Sequence, residues 1–263
     1  MVFTSTSFRL DPVRFRGEVI RCKSSKPLRL EVLELLSEEE FRQWGELFSR
    51  FLDLTIIVKD LTHQAWTLHF LRFFPQTRSL HLKCLWSLDS LAPVGELQEL
   101  LQIELGSLLN GSISLEPLIC LKKVKFLSVT GQWSDLFYLM KLQSLERIVF
   151  SGFSMGEFGF IAELEQLREI EIIDSTIQDL SSLKSGSVSA LRLSNLRNLL
   201  NLDWLVAFPR LRHLKLKRLP KVDRLPPQIF LDQLESFSAT HLKNAGIRYT
   251  VEKQKREEGL FAL

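Results

Sequence analysis

Cysteine is scarce: Cys22, Cys84 and Cys120 are the three in 263 residues. So far apart, they form neither a disulfide framework nor a zinc-ligand spacing, and they read as packed or simply exposed thiols. No apolar run approaches the roughly 20 residues needed to cross a bilayer. The first 26 residues scatter Arg9, Arg14, Arg16 and Arg21 and hold no compact apolar segment. No secretory signal is therefore read, and the expected location is intracellular, cytoplasmic by default. Excess charge of one sign is also small, with 34 basic against 31 acidic residues and a net charge of +3. Gly152, Gly156 and Gly159 lack the Lys-Ser or Lys-Thr of a phosphate cradle and read as turn relief. Asn110-Gly-Ser reads as a tight turn, and as a glycosylation acceptor only in a secreted protein. His81 and Cys84 are near neighbours without a third group to orient them, so no catalytic residue is assigned. No cofactor or metal is expected either.

What the chain has is spacing. Leu142, Leu145, Ile148 and Phe150 precede Met155, Phe158 and Ile161; 22 residues on, Leu164, Leu167, Ile170 and Ile172 precede Ile177, Leu180 and Leu183. Ile170 and Ile172 point to one side of an extended strand, and Glu169, Glu171 and Ile173 to the other. The apolar groups at every third position after each pair suit a turn and a 3₁₀ or short helical return. A coil of this kind cannot bury its own apolar edge and must stack on a neighbour.

The same template extends in both directions. Its first strand residues are Leu54, Leu80, Ile103, Leu127, Ile148, Ile170, Leu191, Leu214 and Phe237, at intervals of 26, 23, 24, 21, 22, 21, 23 and 23. Ile56, Leu82, Leu105, Val129, Phe150, Ile172, Leu193, Leu216 and Ala239 form the second column. Three positions ahead of the first stand Phe51, Thr77, Leu100, Val124, Leu145, Leu167, Val188, Leu211 and Leu234, a column that only Thr77 breaks.

With these columns the chain resembles the leucine-rich repeat family, whose pattern is L-x-x-L-x-L followed by Asn or Cys. The resemblance covers about three quarters of the chain. It implies an α/β solenoid, an arc or horseshoe with a parallel sheet on the concave face and 3₁₀ or short helical returns on the convex one. One column departs: the usual Asn position holds Leu85, Leu108, Gln132, Phe153, Ser175, Leu196, Leu219 and Leu242. Those turns must satisfy their backbone groups in another way. Repeats such as Arg212-His-Leu-Lys-Leu-Lys-Arg-Leu-Pro resemble the irregular ones of plant immune receptors and some bacterial proteins. Without a nucleotide-binding region the receptor role is not carried over.

The expected organisation is an N-terminal cap over 1–50, a solenoid of about nine coils over 51–243, and a C-terminal cap or tail over 244–263. Glu18–Cys22 and Leu28–Leu35 read as two strands, or the second leads into a helix. Ser37 is an N-cap with acids behind it, and Phe41, Trp44, Leu47, Phe48 and Phe51 follow at helical spacing. That helix either caps the first coil or is an amphipathic partner-binding element, and the cap is the preferred reading. Gly246–Val251 reads as a strand and Glu252–Glu258 as a solvated run.

The resemblance places a binding site on the outward side of the sheet. Expected contact residues are His81, Lys83, Glu104, Phe126, Ser128, Arg147, Val149, Glu169, Glu171, Arg192, His213, Lys215 and Lys217. Glu169, Glu171 and Asp174 read as an acidic spot, and Arg192, His213, Lys215, Lys217 and Arg218 as a basic end, a dipolar surface suited to protein docking. Thr55 is expected among the outward residues. Phe126 and Val149 read as central apolar anchors, and Trp86, Trp133 and Trp204 as packing residues. The expected function is non-catalytic binding of another protein, its identity open, as an inhibitor or immunity-type protein. The alternative is nucleic acid or another polyanion held by the basic run Arg210–Arg224, which contains a single acid, Asp223.

Overall fold

In the computed structural model, alternating Leu, Ile and Val residues form short strands that lie side by side. The described residues are 6–9, 28–60, 63, 65–83, 85–109, 113–131, 133, 135–154, 157–242 and 249–252. Expectations for Glu18–Cys22, Cys84, Asn110–Ser112, Gln132, Met155, Gly156 and the run after Glu252 lie outside them. The chain forms two compact units, residues 1–144 and 145–263.

In the first unit, β1 (Thr6–Arg9), β2 (Leu28–Val32), β3 (Leu54–Lys59), β5 (Thr77–Lys83), β7 (Gln102–Leu105) and β8 (Phe126–Thr130) pair in that order, all parallel. A separate two-stranded parallel ladder joins β4 (Ala65–Trp66) to β6 (Ser87–Leu88). In the second unit, β9 (Arg147–Ser151), β10 (Glu169–Ile173), β11 (Ala190–Ser194), β12 (His213–Leu219) and β13 (Ser236–Leu242) are parallel in sequence order. β14 (Tyr249–Glu252) closes that sheet antiparallel to β13.

Register follows the expected columns. In the second unit Ile148, Ile170, Leu191, Leu214 and Phe237 are aligned, and none is more than 2% exposed. Burying each such side chain stabilises the fold by about 1.5–3 kcal/mol. The returns bury their share through 3₁₀ segments. His69–Phe73, Glu116–Cys120 and Leu136–Lys141 lie in the first unit, Gly159–Glu163 and Asp203–Ala207 in the second. Leu71, Leu118, Leu139, Ile161 and Leu205 point from them into the core.

Two corrections arise near the N-terminus. The inward pair of β3 is Ile56 and Val58, in register with Leu80 and Leu82, after a shift between Leu54 and Thr55. Ile57, 4% exposed, therefore replaces Thr55 as the outward neighbour of His81. The run Leu54-Thr-Ile-Ile-Val offers either Leu54 with Ile56 or Ile56 with Val58 as the inward pair, with Thr55 outward in both; β2 sets Leu30 and Val32 opposite Ile56 and Val58. The helix α1 (Glu38–Phe48) has the expected capping box: Glu40 N–H donates to Ser37 Oγ at 3.3 Å, and Ser37 N–H to Glu40 Oε2 at 2.9 Å. It lies between the parallel strands β2 and β3, and its apolar stripe is spent inside the unit. Phe41 stacks on Phe70 at 4.5 Å, while Trp44 and Phe48 are buried. Two short helices, α2 (Ala92–Gly95) and α3 (Gln228–Leu231), occupy other returns.

From β8 to β13 each strand end turns through a left-handed residue, four positions after the first inward one. Gly131, Gly152, Asp174, Asn195, Arg218 and His241 all have φ between 49° and 86°. In the second unit the N–H groups of Gly152, Asp174 and Asn195 donate to the carbonyls of Ile173, Ser194 and Lys217. The next position, where Asn is usual, is largely apolar and buried: Leu85, Phe153, Leu196 and Leu219. At Phe153 the backbone groups are satisfied by the next coil. Phe153 N–H donates to Ser175 Oγ at 3.1 Å, Ser175 Oγ to the Ile173 carbonyl at 2.8 Å, and Thr176 N–H to the Phe153 carbonyl at 2.8 Å. Thr77, the exception in its column, is buried with its hydroxyl donating to the Phe74 carbonyl at 2.6 Å.

Candidate protein-binding face

Side chains between the inward pairs stand on the far side of each sheet from the core, held in rows by the parallel register. In the first unit His81, Glu104 and Ser128 are neighbours across β5, β7 and β8, with Gln102 beside Phe126. In the second unit one row is Arg147, Glu169, Ala190, His213 and Ser236, and the next is Val149, Glu171, Arg192, Lys215 and Ser238. A third runs Ser151, Ile173, Ser194, Lys217 and Thr240.

The first unit carries a clamp that the sequence columns did not reveal. His81 Nδ1 lies 3.0 Å from Glu104 Oε2, His81 Nε2 lies 2.9 Å from Ser79 Oγ, and Lys83 Nζ also bonds Glu104. The His81 and Lys83 hydrogen bonds hold the Glu104 carboxyl down at a pKa of about 2, against the opposing effect of burial. Serine, histidine and carboxylate stand here in the order of a hydrolase triad. β5 is paired on both sides, however, by β3 and β7, so the N–H groups around Ser79 are spent in ladders and none is left to bind an oxyanion. Ser79 itself is 7% exposed. The group ties the outward surfaces of β5 and β7 together.

Charges in the second unit depart from the expected separation. Arg147 reaches Glu169 at 3.5 Å and Glu171 at 3.3 Å, and Arg192 reaches Glu171 at 3.2 Å. The acidic spot is thus neutralised by a base on each side, because strands about 4.8 Å apart bring opposite charges of adjacent coils into contact. Burial still raises the Glu169 pKa, with Arg147 pulling it down and Glu171 pushing it up. Asp174 is absent from the face; it sits in a left-handed turn and accepts from Asn195 Nδ2 at 2.6 Å.

The apolar anchors separate as well. Phe126 is half-buried in the outward column, whereas Val149 is 9% exposed and offers a partner little surface. Trp133 and Trp204 are packed, their Nε1 groups donating to the carbonyls of Thr130 and Asn201 at 3.0 and 3.2 Å. Trp86 is 39% exposed, against expectation, with its ring 5.5 Å from His63. The run Arg210–Arg224 does not form one patch. Lys215 and Lys217 are outward, Arg212 and His213 each come within 3.8 Å of Glu235, and Arg218 sits in a left-handed turn. Among the described residues no cluster of His, Cys, Asp and Glu could hold a metal ion, and no helix is long and apolar enough to cross a membrane.

Parallel strands at these intervals, left-handed strand ends and 3₁₀ returns make this a leucine-rich repeat solenoid. No family model matches the chain, and no curated protein matches it. Among solved structures it is similar to an internalin, inlF, of Listeria monocytogenes, with a TM-score of 0.51 and 15% identity over 83% of this chain and 68% of that one. The internalin C2, inlC2, of the same organism gives a TM-score of 0.45 and 19% identity over 63% and 70% of the two chains. The functional domain of InlJ, also from Listeria monocytogenes, gives 0.39 and 12% over 91% and 58%. At 15% identity the likeness to inlF bears on the fold alone.

Proposed function

We propose that the chain is a non-catalytic protein-binding module whose outward sheet faces dock another protein. The observation that carries this reading is the ordered array of half-buried polar and charged side chains on those faces. They are held in place by cross-strand bonds such as His81 to Glu104 and Arg192 to Glu171. A rigid array loses little side-chain entropy when a partner settles on it. The inhibitor or immunity-type role and the cytoplasmic setting expected from the sequence belong to the same proposal. Recovery of a stoichiometric enzyme partner and cell fractionation test them.

Affinity capture with mass spectrometry tests the module itself. Ser128→Trp and Ser238→Trp, which block the outward faces, should abolish partner recovery. Val206→Arg on a return, where Val206 is 71% exposed, should leave recovery intact. Recovery unaffected by the two tryptophans would overturn the reading.

A further inference from the structure

At the C-terminal ends of β12 and β13 basic side chains gather without a counter-charge. Register sets Lys217 opposite Thr240 and Leu219 opposite Leu242, so Arg218 faces His241 across two paired strands, at the usual spacing of about 4.8 Å. Arg218 and His241 are exposed. Neither they nor Lys217 and Thr240 have a side-chain hydrogen bond or ion pair among the described residues. Carboxylates of the neighbouring coils are engaged or distant. Glu171 is on β10 with Arg147 and Arg192, and Asp174, at the end of that strand, accepts from Asn195. Glu235, and Glu252 in register with Ser236, stand at the opposite end of β13, five or six residues and roughly 16–20 Å along the strand from His241. Asp223, on the turn after β12, has a contact of its own. The backbone adds a second sign. Arg218 and His241 are left-handed, with φ of 56° and 57°, where the equivalent position of β9 is filled by Gly152.

The geometry points to a phosphomonoester site at this corner of the sheet, filled by free phosphate or by a phosphorylated side chain. A phosphomonoester brings a charge of about −1.5 to −2 and three strong acceptor oxygens. That matches a guanidinium, an ammonium, an imidazole and the Thr240 hydroxyl, which a single carboxylate would leave partly unpaired. Arg218 is suited to a bidentate pair and Lys217 to a point contact. An arginine and a protonated histidine directly opposite each other repel, and an anion between them turns that repulsion into attraction. Binding also gives a reason for keeping basic residues in two turns where glycine is less strained. A nucleic-acid strand fits less well, because it spreads single charges along its length, whereas these cations share one corner. The inference does not depend on a protein docking on the sheet.

The test uses the full chain and a labelled Gly-Ser peptide with one central phosphoserine, read by fluorescence anisotropy against the same peptide unphosphorylated. The phosphopeptide should bind about tenfold tighter or more. Arg218→Gly and His241→Gly should each cut that preference about threefold or more while resisting urea better than the wild type, which separates lost binding from lost folding. Lys217→Glu with Arg218→Glu should abolish the preference, and Lys221→Glu, on the following turn, should leave it in place. Inorganic phosphate should displace the peptide. Displacement at concentrations comparable to the peptide's own identifies free phosphate as the ligand, and displacement only at large excess identifies a phosphorylated side chain; either result upholds the site. Equal binding of the two peptides, no displacement by phosphate, an unchanged preference in both glycine variants, or stronger displacement by a single-stranded oligonucleotide of equal charge would overturn the assignment.

Discussion

At the scale of single residues, the strand ends separate what composition dictates from what the fold imposes. Gly131, Gly152, Asp174 and Asn195 are residue types that tolerate positive φ, whereas Arg218 and His241 are held there by the ladder on either side of the turn. Replacing Arg218 or His241 by glycine should raise stability by about 0.5–1 kcal/mol in urea unfolding. Gly131→Ala should lower it, because its φ is 86° and the new Cβ would lie 2.9 Å from Ser107 Oγ. Glu104 gives a pH signature. Its folded pKa of about 2 lies below the 4.5 of an ordinary glutamate, so the stability it contributes is present above 4.5 and is lost as pH falls toward 2. Glu104→Gln should cost about 1–2 kcal/mol at pH 7, with the difference from wild type vanishing near pH 2. Glu169 has the opposite sign. Its raised pKa favours the protonated folded form, a contribution present at low pH and lost as pH rises through the folded value. Glu169→Gln should therefore cost less at pH 7 than Glu104→Gln.

Among the elements, α1 shows what periodicity reveals and where it stops. Its start was legible, because Ser37 and Glu40 close a capping box within four residues of chain. Whether the stripe of Phe41, Trp44 and Phe48 covers its own coil or awaits a partner was not, since both uses demand the same spacing; Phe70 and Phe74 on the next return decide it. Gly45 sits in that contact, and a Cβ there would run into the Phe73 carbonyl. Gly45→Ala, which usually favours a helix, should instead destabilise by about 1–3 kcal/mol in thermal or chemical unfolding. Gly159→Ala, with open space around it, should be neutral or stabilising. The register of β3 was equally hidden, because Leu54 with Ile56 and Ile56 with Val58 have the same spacing and both pairs face inward. Only pairing with β2 settles it.

For the molecule as a whole, the repeat made the architecture readable and left the face half-read. Within each unit the inward columns fall into register where spacing alone placed them, from Leu80 to Leu127 in the first and from Ile148 to Phe237 in the second. Each coil relies on its neighbours, so Ile170→Ala should cost about 2–5 kcal/mol. Alternation placed Glu171, Arg192 and Lys215 in one outward row but misplaced Asp174, and the electrostatics of the row depended on partners 21–24 residues away in the chain. Arg147 and Arg192 reach across strands to Glu171, and His81 to Glu104. A column written along the sequence does not show those bonds. The outward faces also make the docking claim open to direct attack, by placing a photo-crosslinking amino acid at Ser128, Ser238 or Val206 in living cells. Covalent adducts with one protein partner should form from Ser128 and Ser238, with none from Val206. Adducts from Val206 alone, or none from either outward position, would contradict a partner seated on the sheet.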